Sequence, residues 1–285
     1  VNVAGCELLP REWRCNLDLT VARSIGNWIG RFVLRFTATV HGVGAFGLIT
    51  VGVIARKWRV ASKVIHPLAC EQVHRAGVRL LPMVSFLALA LGLIVIGQTV
   101  ALLSRMGATH YAGIIMVTVV VRELGPLIVA LLVLGRIGTA IVIELGTARA
   151  TGEVEVLESL GVDPIHYLVV PRVVGLALSI FALTIYLILV ALLGGYLFAF
   201  LQDVPLLLGD YFSQLAGALR WEDFVLLGLK TFSFGICIAV VTCYHGLALP
   251  LTIQDLGGAT TRAVVESVAA CTLLDALFII VYLIM

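Results

Sequence analysis

The 285-residue sequence is 61% hydrophobic and only 13% charged, with a mean hydropathy of +1.10. Ordinary soluble domains carry about 25% charged residues, so this composition excludes a soluble enzyme or binding domain and predicts a polytopic membrane protein. The net charge is +2 at pH 7, and nucleic acid is not among the expected partners.

The first 55 residues precede the long apolar runs. No role is assigned to 1–21. In the stretch 22–36, one helical face is apolar and carries Ile25, Ile29, Phe32 and Phe36. A second, mostly basic stripe at spacing four consists of Arg23, Asn27, Arg31 and Arg35. This pattern predicts an amphipathic helix in the membrane interface over about 22–55. The part 38–55 fits a short glycine-rich crossing equally well, because it is apolar all round.

Five further apolar runs are long enough to cross a hydrocarbon core about 30 Å thick as helices. They are 83–103, 112–148, 167–201, 224–248 and 264–285. Backbone hydrogen bonds must be satisfied within the membrane, and the alternation typical of a membrane barrel is not visible. The predicted fold class is therefore an all-α polytopic membrane protein, with an N-terminal interfacial amphipathic helix and five transmembrane helices in one domain over 22–285.

Charge asymmetry predicts the orientation. Residues 1–79 hold 11 of the 19 lysines and arginines against four acidic residues. Positive segments stay on the cytoplasmic side, so the first crossing runs outward and the second returns. The segment 149–166 is then cytoplasmic, and the loop 202–223 is outside.

Several ionisable residues interrupt the apolar runs. The second run contains Arg122 and Glu123, the fourth contains Lys230, and the last contains Glu266 and Asp275. A charge at membrane depth is costly unless it is paired or faces a wet cavity, so each residue is a candidate functional group. A purely structural ion pair is the alternative, and Glu266, close to a membrane boundary, fits that alternative better.

Pro126 follows this charged pair closely. A proline removes one helical hydrogen bond and disfavours helix at the residue before it, here Gly125. We therefore expect a kink or break at this point. Broken helices at polar positions are common binding sites in transporters, although a tolerated proline kink gives the same pattern.

The segment between the second and third runs is acidic. Thr151 is a candidate N-cap, Glu153 suits the first turn of a helix, and Gly161 with Pro164 behind it suits a helix end. The pattern predicts a helix of about nine residues within 149–161. Such a helix either docks into another protein or forms a solvated turn.

Two blocks carry a family resemblance. The first is VRELGPLIVALLVLGRIGTAIVIELGTARATGEVEVLESLGVDPIHYLVVPR at 121–172, and the second is YHGLALPLTIQDLGGATTRAVVESVAACTLLDALF at 244–278. Together they resemble the MlaE/YrbE family of ABC-transporter permeases, which belong to MCE-associated lipid transport systems. The resemblance covers roughly 25–285.

The resemblance implies a function and a set of partners. Such permeases sit in the bacterial inner membrane, pair as dimers around a lipid cavity, and move lipids, here expected to be phospholipids, to an MCE-domain hexamer on the outer side. A cytoplasmic ABC ATPase dimer, which a STAS-domain protein can accompany, binds ATP and Mg. The chain itself is then neither an enzyme nor a cofactor-binding protein.

The resemblance also assigns residues. The polar group of the lipid cavity maps onto Glu123, Lys230 and Asp275, to which the neighbouring Arg122 is added. The helix that couples to the ATPase maps onto 149–161, with the contact residues Glu153, Val154, Glu155, Leu157, Glu158 and Leu160.

Other functions remain open from the residues alone. A secondary transporter of an amphipathic substrate would also use intramembrane charges, but should show internal repeats, and none is found. No GxxxxGK[ST] loop is present, and the histidines near crossing ends are scattered, so neither a catalytic nor a metal site is predicted. His66, Cys70 and His74 recur at spacing four, which favours one face of a helix over a metal site.

Overall fold

The structure, a computed structural model, describes residues 41–53, 62–107, 112–201, 208–247 and 252–284. This part of the chain is helical and contains no strand. Ile49–Met285 forms one compact unit and Val1–Leu48 another. Of the predicted interfacial helix over 22–55, the helix His41–Val53 is described. The rest of that helix, and residues 1–21, lie outside the described residues.

Five helices are long and apolar enough to cross a membrane, which confirms the predicted number. They span Pro67–Thr99, Gly113–Ala150, Ile165–Phe198, Trp221–Leu247 and Ile253–Ile284, and we refer to them as the first to fifth crossings. The helix Ser62–Ala76 includes the start of the first crossing, and it is followed by a 3-10 turn at Val78–Leu80 and the helix Leu81–Leu91. Two shorter helices, Glu153–Ser159 and Leu208–Ala218, lie between crossings.

The first and fifth crossings begin earlier than the apolar runs predicted. The predicted starts are 83 and 264, whereas the crossings start at Pro67 and Ile253. In the fifth crossing, the hydroxyls of Thr260 and Thr261 donate to the carbonyls of Leu256 and Gly257. Because these hydroxyls form their hydrogen bonds within the helix, the helix includes a threonine-rich stretch that hydropathy alone leaves out.

The third and fourth crossings form the centre of the bundle. Their most apolar stretches are the most buried of the five crossings, and those of the fifth crossing are the least buried. The two central helices approach closely at Gly235, where an added Cβ would lie 2.4 Å from Cα of Ala177. Small residues at such contacts let helix backbones pack tightly without a side chain between them.

The loop predicted outside the membrane contains a helix that the sequence analysis missed. Leu208–Ala218 packs against the start of the second crossing. Tyr211 is buried there, and its hydroxyl donates to the carbonyl of Leu192 at 3.0 Å. Burial raises the pKa of Tyr211 to about 12, so this hydroxyl remains protonated and keeps donating.

Candidate functional site

A lysine in the fourth crossing is paired with carboxylates from two other crossings. Nζ of Lys230 lies 2.8 Å from Oε2 of Glu123 in the second crossing and 2.6 Å from Oδ1 of Asp275 in the fifth. The lysine side chain is 1% exposed. A buried ammonium is tolerated only when it is paired and hydrogen-bonded. The fold thus brings together three of the four residues predicted for the polar group, which we call the charged triad.

The backbone around Pro126 supplies a further partner for the lysine. Pro126 has no N–H, so the carbonyl of Arg122, four residues earlier, lacks its α-helical donor. Nζ of Lys230 donates to this carbonyl at 2.9 Å. The proline therefore creates an acceptor at the depth where the lysine needs one.

The helix does not break at this proline. A π-helical segment, Val117–Leu124, leads into the α-helix Gly125–Val133. Gly125 adopts α-helical angles, φ −56° and ψ −60°. The clash that normally pushes the residue before proline out of the helix involves its Cβ, which glycine lacks. Of the expected kink or break, the break is therefore wrong: a wider turn lies here in a continuous helix.

Arg122 points to a different partner from the triad. Its Nε lies 2.9 Å from Oδ1 of Asp223, and its Nη2 donates to Oδ2 of the same residue at 3.1 Å. The guanidinium also lies 5.1 Å from the ring centre of Tyr282. Arg122 thus contributes its carbonyl to the triad, whereas its side chain forms a second layer closer to the end of the bundle. The prediction that the Arg122 side chain joins the other three charges is therefore wrong.

Asp223 is the residue of this site that the sequence analysis missed. It was assigned to the outer loop, but it lies in the first turn of the fourth crossing and is 3% exposed. Its Oδ2 also accepts the backbone N–H of Arg220 at 2.9 Å, which closes the start of the helix. One signal was available: Asp223 and Lys230 are seven residues apart, two helical turns, so they share one face.

The triad lies far from the ends of the three crossings that form it. Glu123 is 10 residues from Gly113, Lys230 is 9 from Trp221, and Asp275 is 9 from Ile284, all counted from the same end of the bundle. At 1.5 Å per residue, each group is about 14–15 Å from that end. This depth lies within a hydrocarbon core about 30 Å thick.

One ammonium faces two carboxylates, so the fully ionised triad has an excess of one negative charge. Glu123 is 30% exposed and Asp275 15%, whereas the lysine is covered. The accessible edge of the triad is therefore a carboxylate. It can accept an N–H or O–H donor, attract a cationic group, or take up a proton.

Glu266 takes part in a separate pair near the opposite end of the bundle. Its Oε2 lies 2.6 Å from Nε2 of His245, and the histidine is buried between the fourth and fifth crossings. The pair is 21 residues apart in sequence and joins the two helices across their short connection. This arrangement agrees with the structural interpretation of Glu266.

The acidic segment forms a helix over Glu153–Ser159. The prediction of Gly161 as a left-handed end is confirmed: its φ is +75°, its N–H donates to Glu158, and Val162 donates to Leu157. These two bonds form a Schellman motif, which favours glycine because other residues avoid positive φ.

The predicted N-cap of this helix is wrong. The hydroxyl of Thr151 donates back to the carbonyls of Thr147 and Ala148, so it closes the second crossing, which runs to Ala150. Gly152 occupies the cap position with a φ of +81°. A left-handed glycine is what turns the chain from one helix into the next within two residues.

The exposed face of the short helix differs from the predicted one. Val154 is buried and Leu157 half-buried, and this side packs on the end of the second crossing. Leu160 is 71% exposed. The other exposed side chains of the helix are Glu153, Glu155, Val156, Glu158 and Ser159. A partner that docks here therefore meets acids together with Val156 and Leu160, while Val154 is inaccessible.

Comparisons with known proteins agree on one family. The family described as Permease MlaE matches residues 69–281. A probable ABC transporter permease protein of Rickettsia felis is 30% identical over 244 residues, which cover 86% of this chain and 92% of that protein. The intermembrane phospholipid transport system permease protein MlaE of Haemophilus influenzae is 27% identical, over 84% of this chain and 90% of its own length.

A plant protein is also similar. The protein TRIGALACTOSYLDIACYLGLYCEROL 1, chloroplastic, of Arabidopsis thaliana is 30% identical over 207 residues, which cover 72% of this chain and 58% of that protein. The family match covers the residues of the charged site in the second, fourth and fifth crossings, from Arg122 to Asp275. With five crossings, a charged triad between three of them and this extent of similarity, the chain is a multi-pass membrane protein that belongs to the MlaE permease family.

Proposed function

We propose that this chain is the membrane subunit of an ATP-driven transporter that moves phospholipids. The observation that carries the proposal is the charged triad, which holds a carboxylate edge in the hydrocarbon region. The name of the Haemophilus relative describes phospholipid transport by that protein. A lipid has apolar tails and a polar head, and the exposed apolar faces of the crossings suit the tails while the triad suits the head.

Energy for transport has to come from another subunit, because the sequence contains no GxxxxGK[ST] loop. We place a dimeric ABC ATPase, with its bound ATP and Mg and an accompanying STAS-domain protein, against the acidic helix Glu153–Ser159. This helix packs on the end of the second crossing, which also carries Glu123. Closure of the ATPase would therefore move a continuous helix that reaches the triad.

The remaining parts of the proposed assembly rest on the resemblance to the family. A second copy of this chain would complete the lipid cavity as a homodimer. An MCE-domain hexamer would receive the lipid on the outer side of the bacterial inner membrane. The fifth crossing is the least buried of the five within a single chain, which leaves an apolar surface for lipid or a second copy.

The triad would act on the head group through its charge. Glu123 is the most accessible of the three groups, so it would meet the head group first. Its carboxylate is shared with Lys230, and a head group that binds one of them weakens the pair between them. The apolar surroundings make each of these interactions stronger than it would be in water.

Glu123→Gln is the variant that tests this role most directly. The amide keeps the shape of the side chain and leaves Lys230 paired with Asp275, so we expect folding to be preserved. Loss of a charged hydrogen-bond partner is worth about 1.5–3 kcal/mol, so lipid transport should fall roughly tenfold or more. The measurement is ATP-dependent lipid transfer by the complete complex in reconstituted vesicles.

Glu266→Gln is the matched control, because it makes the same change in a carboxylate that lies away from the triad. We expect it to leave lipid transfer close to that of the unaltered protein. Equal transfer by the Glu123→Gln complex would refute a role of the triad in transport. Lipid movement by the permease without any ATPase would instead support the alternative, a secondary transporter of an amphipathic substrate.

A further inference from the structure

A second group of charges lies at the other end of the bundle, between the first and second crossings. A cavity of about 330 Å³ is lined there by Arg75, Arg79, Arg136, Glu144, Leu80 and Ile141, among others. An adjoining cavity of about 180 Å³ shares Arg75 and Glu144 and adds Arg172 from the third crossing. We call the two together the arginine groove.

The acidic residues of the groove are already engaged. Glu144 lies 3.6 Å from Arg75 and 3.1 Å from Arg172, and Glu71 lies 2.6 Å from Arg75. Arg79 and Arg136 are both exposed and have no carboxylate within 4.0 Å among the residues that the structure describes. The groove therefore holds two guanidinium groups that are free to bind an anion.

The position of these two arginines matches a lipid head-group region. Arg136 is 13 residues further along the second crossing than Glu123, which is about 20 Å. Arg79 lies just before the apolar run that starts at Met83. Both guanidiniums are thus near the boundary between hydrocarbon and water, at the end predicted to be cytoplasmic. The apolar Leu80 and Ile141 form part of the same wall.

We propose that the arginine groove binds the phosphate of an anionic phospholipid from the adjacent leaflet, at a site separate from the charged triad. Guanidinium groups bind phosphate oxygens through pairs of N–H donors, and basic pockets between crossings on the cytoplasmic side suit anionic head groups. The site would hold a lipid at the entrance of the bundle before or after transfer. Only the role before or after transfer rests on the proposed function; the choice of leaflet rests on the predicted orientation, and the phosphate chemistry rests on the arginines.

The test uses the full-length chain in detergent, titrated with phosphatidylglycerol and analysed by native mass spectrometry. The double variant Arg79→Gln with Arg136→Gln should bind phosphatidylglycerol roughly tenfold more weakly, because two charged hydrogen-bond donors are lost. Diacylglycerol with the same acyl chains should bind weakly to both proteins, since it has no phosphate. Arg79→Lys with Arg136→Lys should give an intermediate affinity, because it keeps the charge without the planar donor pairs.

Arg262→Gln is the matched control. Arg262 is exposed in the fifth crossing, on the same side of the bundle, and has no ion pair within the described residues. It should bind phosphatidylglycerol like the unaltered protein, and all variants should keep their melting temperature. Competition by glycerol 3-phosphate as effective as that by the lipid would assign the site to a soluble phosphate compound instead of a head group.

Equal affinity for phosphatidylglycerol in the double glutamine variant and the unaltered protein would overturn the proposal, as would an equal loss in Arg262→Gln. These outcomes are independent of the transport experiment. Loss of binding in the double variant, in a protein that transports no lipid with any ATPase, would support the groove and contradict the proposed function. Normal transport by a protein that binds no lipid at the groove would contradict the groove and support the proposed function.

Discussion

Asp223 holds the side chain of Arg122 at the outer layer of the charged site. The two groups are joined by contacts of 2.9 Å and 3.1 Å, and Asp223 also accepts the N–H of Arg220. The carboxylate is buried, so the pair is not screened by water as a surface ion pair is. Asp223 thus positions the residue whose carbonyl serves Lys230.

Removing this carboxylate should destabilise the bundle. Breaking a buried ion pair costs about 3–5 kcal/mol, but Arg122 is 25% exposed, so we expect Asp223→Ala to cost about 2–3 kcal/mol. Thermal unfolding in detergent measures the effect. The adjacent Glu222 is exposed, and Glu222→Ala should shift stability by no more than about 0.5 kcal/mol. Equal melting temperatures for the two variants would contradict this role of Asp223.

At the scale of elements, the short helix Glu153–Ser159 is set by two glycines. Gly152 and Gly161 both have positive φ, and they bound the helix at its two ends. The connection between the second and third crossings is therefore a defined turn and not a loose loop. Its buried side attaches it to the second crossing, and its exposed side consists of acids beside Val156 and Leu160.

Reversing the acids of this helix tests it as the docking site for an ATPase. Glu155→Lys with Glu158→Lys places two positive charges where two negative ones stood, so the partner should bind at least tenfold more weakly if it presents basic groups there. Binding and stimulation of the ATPase by the purified permease measure the effect.

Glu222→Lys makes the same change in an exposed acid at the opposite end of the bundle and should leave the ATPase unaffected. Unchanged docking of the double lysine variant would mean that Glu155 and Glu158 are only solvated in the unaltered protein. Leu160→Ala with Val156→Ala would then identify an apolar contact, since Val154 is buried and Leu157 half-buried.

At the scale of the whole molecule, the triad ties the second, fourth and fifth crossings together. Lys230 and Glu123 are 107 residues apart in sequence, so their contact depends on the packing of helices that are not consecutive. Removal of the lysine alone would leave two carboxylates facing each other in a nonpolar region. That arrangement costs free energy in addition to the lost ion pairs.

Two variants separate the structural role of the triad from its role in transport. Lys230→Ala should lower the free energy of unfolding by about 3–5 kcal/mol. Lys230→Met combined with Glu123→Gln and Asp275→Asn removes every charge, so it should regain most of that stability, yet it should not transport lipid. Denaturation in detergent and lipid transfer in vesicles are the two measurements. Restored transport in the neutral triple variant would mean that the triad only supports the fold.

Some parts of the site were predictable from local pattern and others were not. Glu123, Lys230 and Asp275 stand out because each interrupts an apolar run, and the left-handed Gly161 follows from the end of a helical pattern. Thr151 was assigned to the wrong helix because its hydroxyl can bond forward or backward, and the length of the preceding crossing decides which. The helix Leu208–Ala218 was missed because loops with mixed polarity carry no strong period.

The amino-acid sequence by itself determined that the chain is an all-helical membrane protein with five crossings, because the cost of exposing backbone and charge to hydrocarbon acts on each segment separately. Only the tertiary structure decided which charges meet. It placed Lys230 between Glu123 and Asp275, turned Arg122 towards Asp223, and left Arg79 and Arg136 together in the arginine groove. Such pairings depend on how helices that are distant in sequence pack, because a charge attracts any opposite charge that the fold brings close to it.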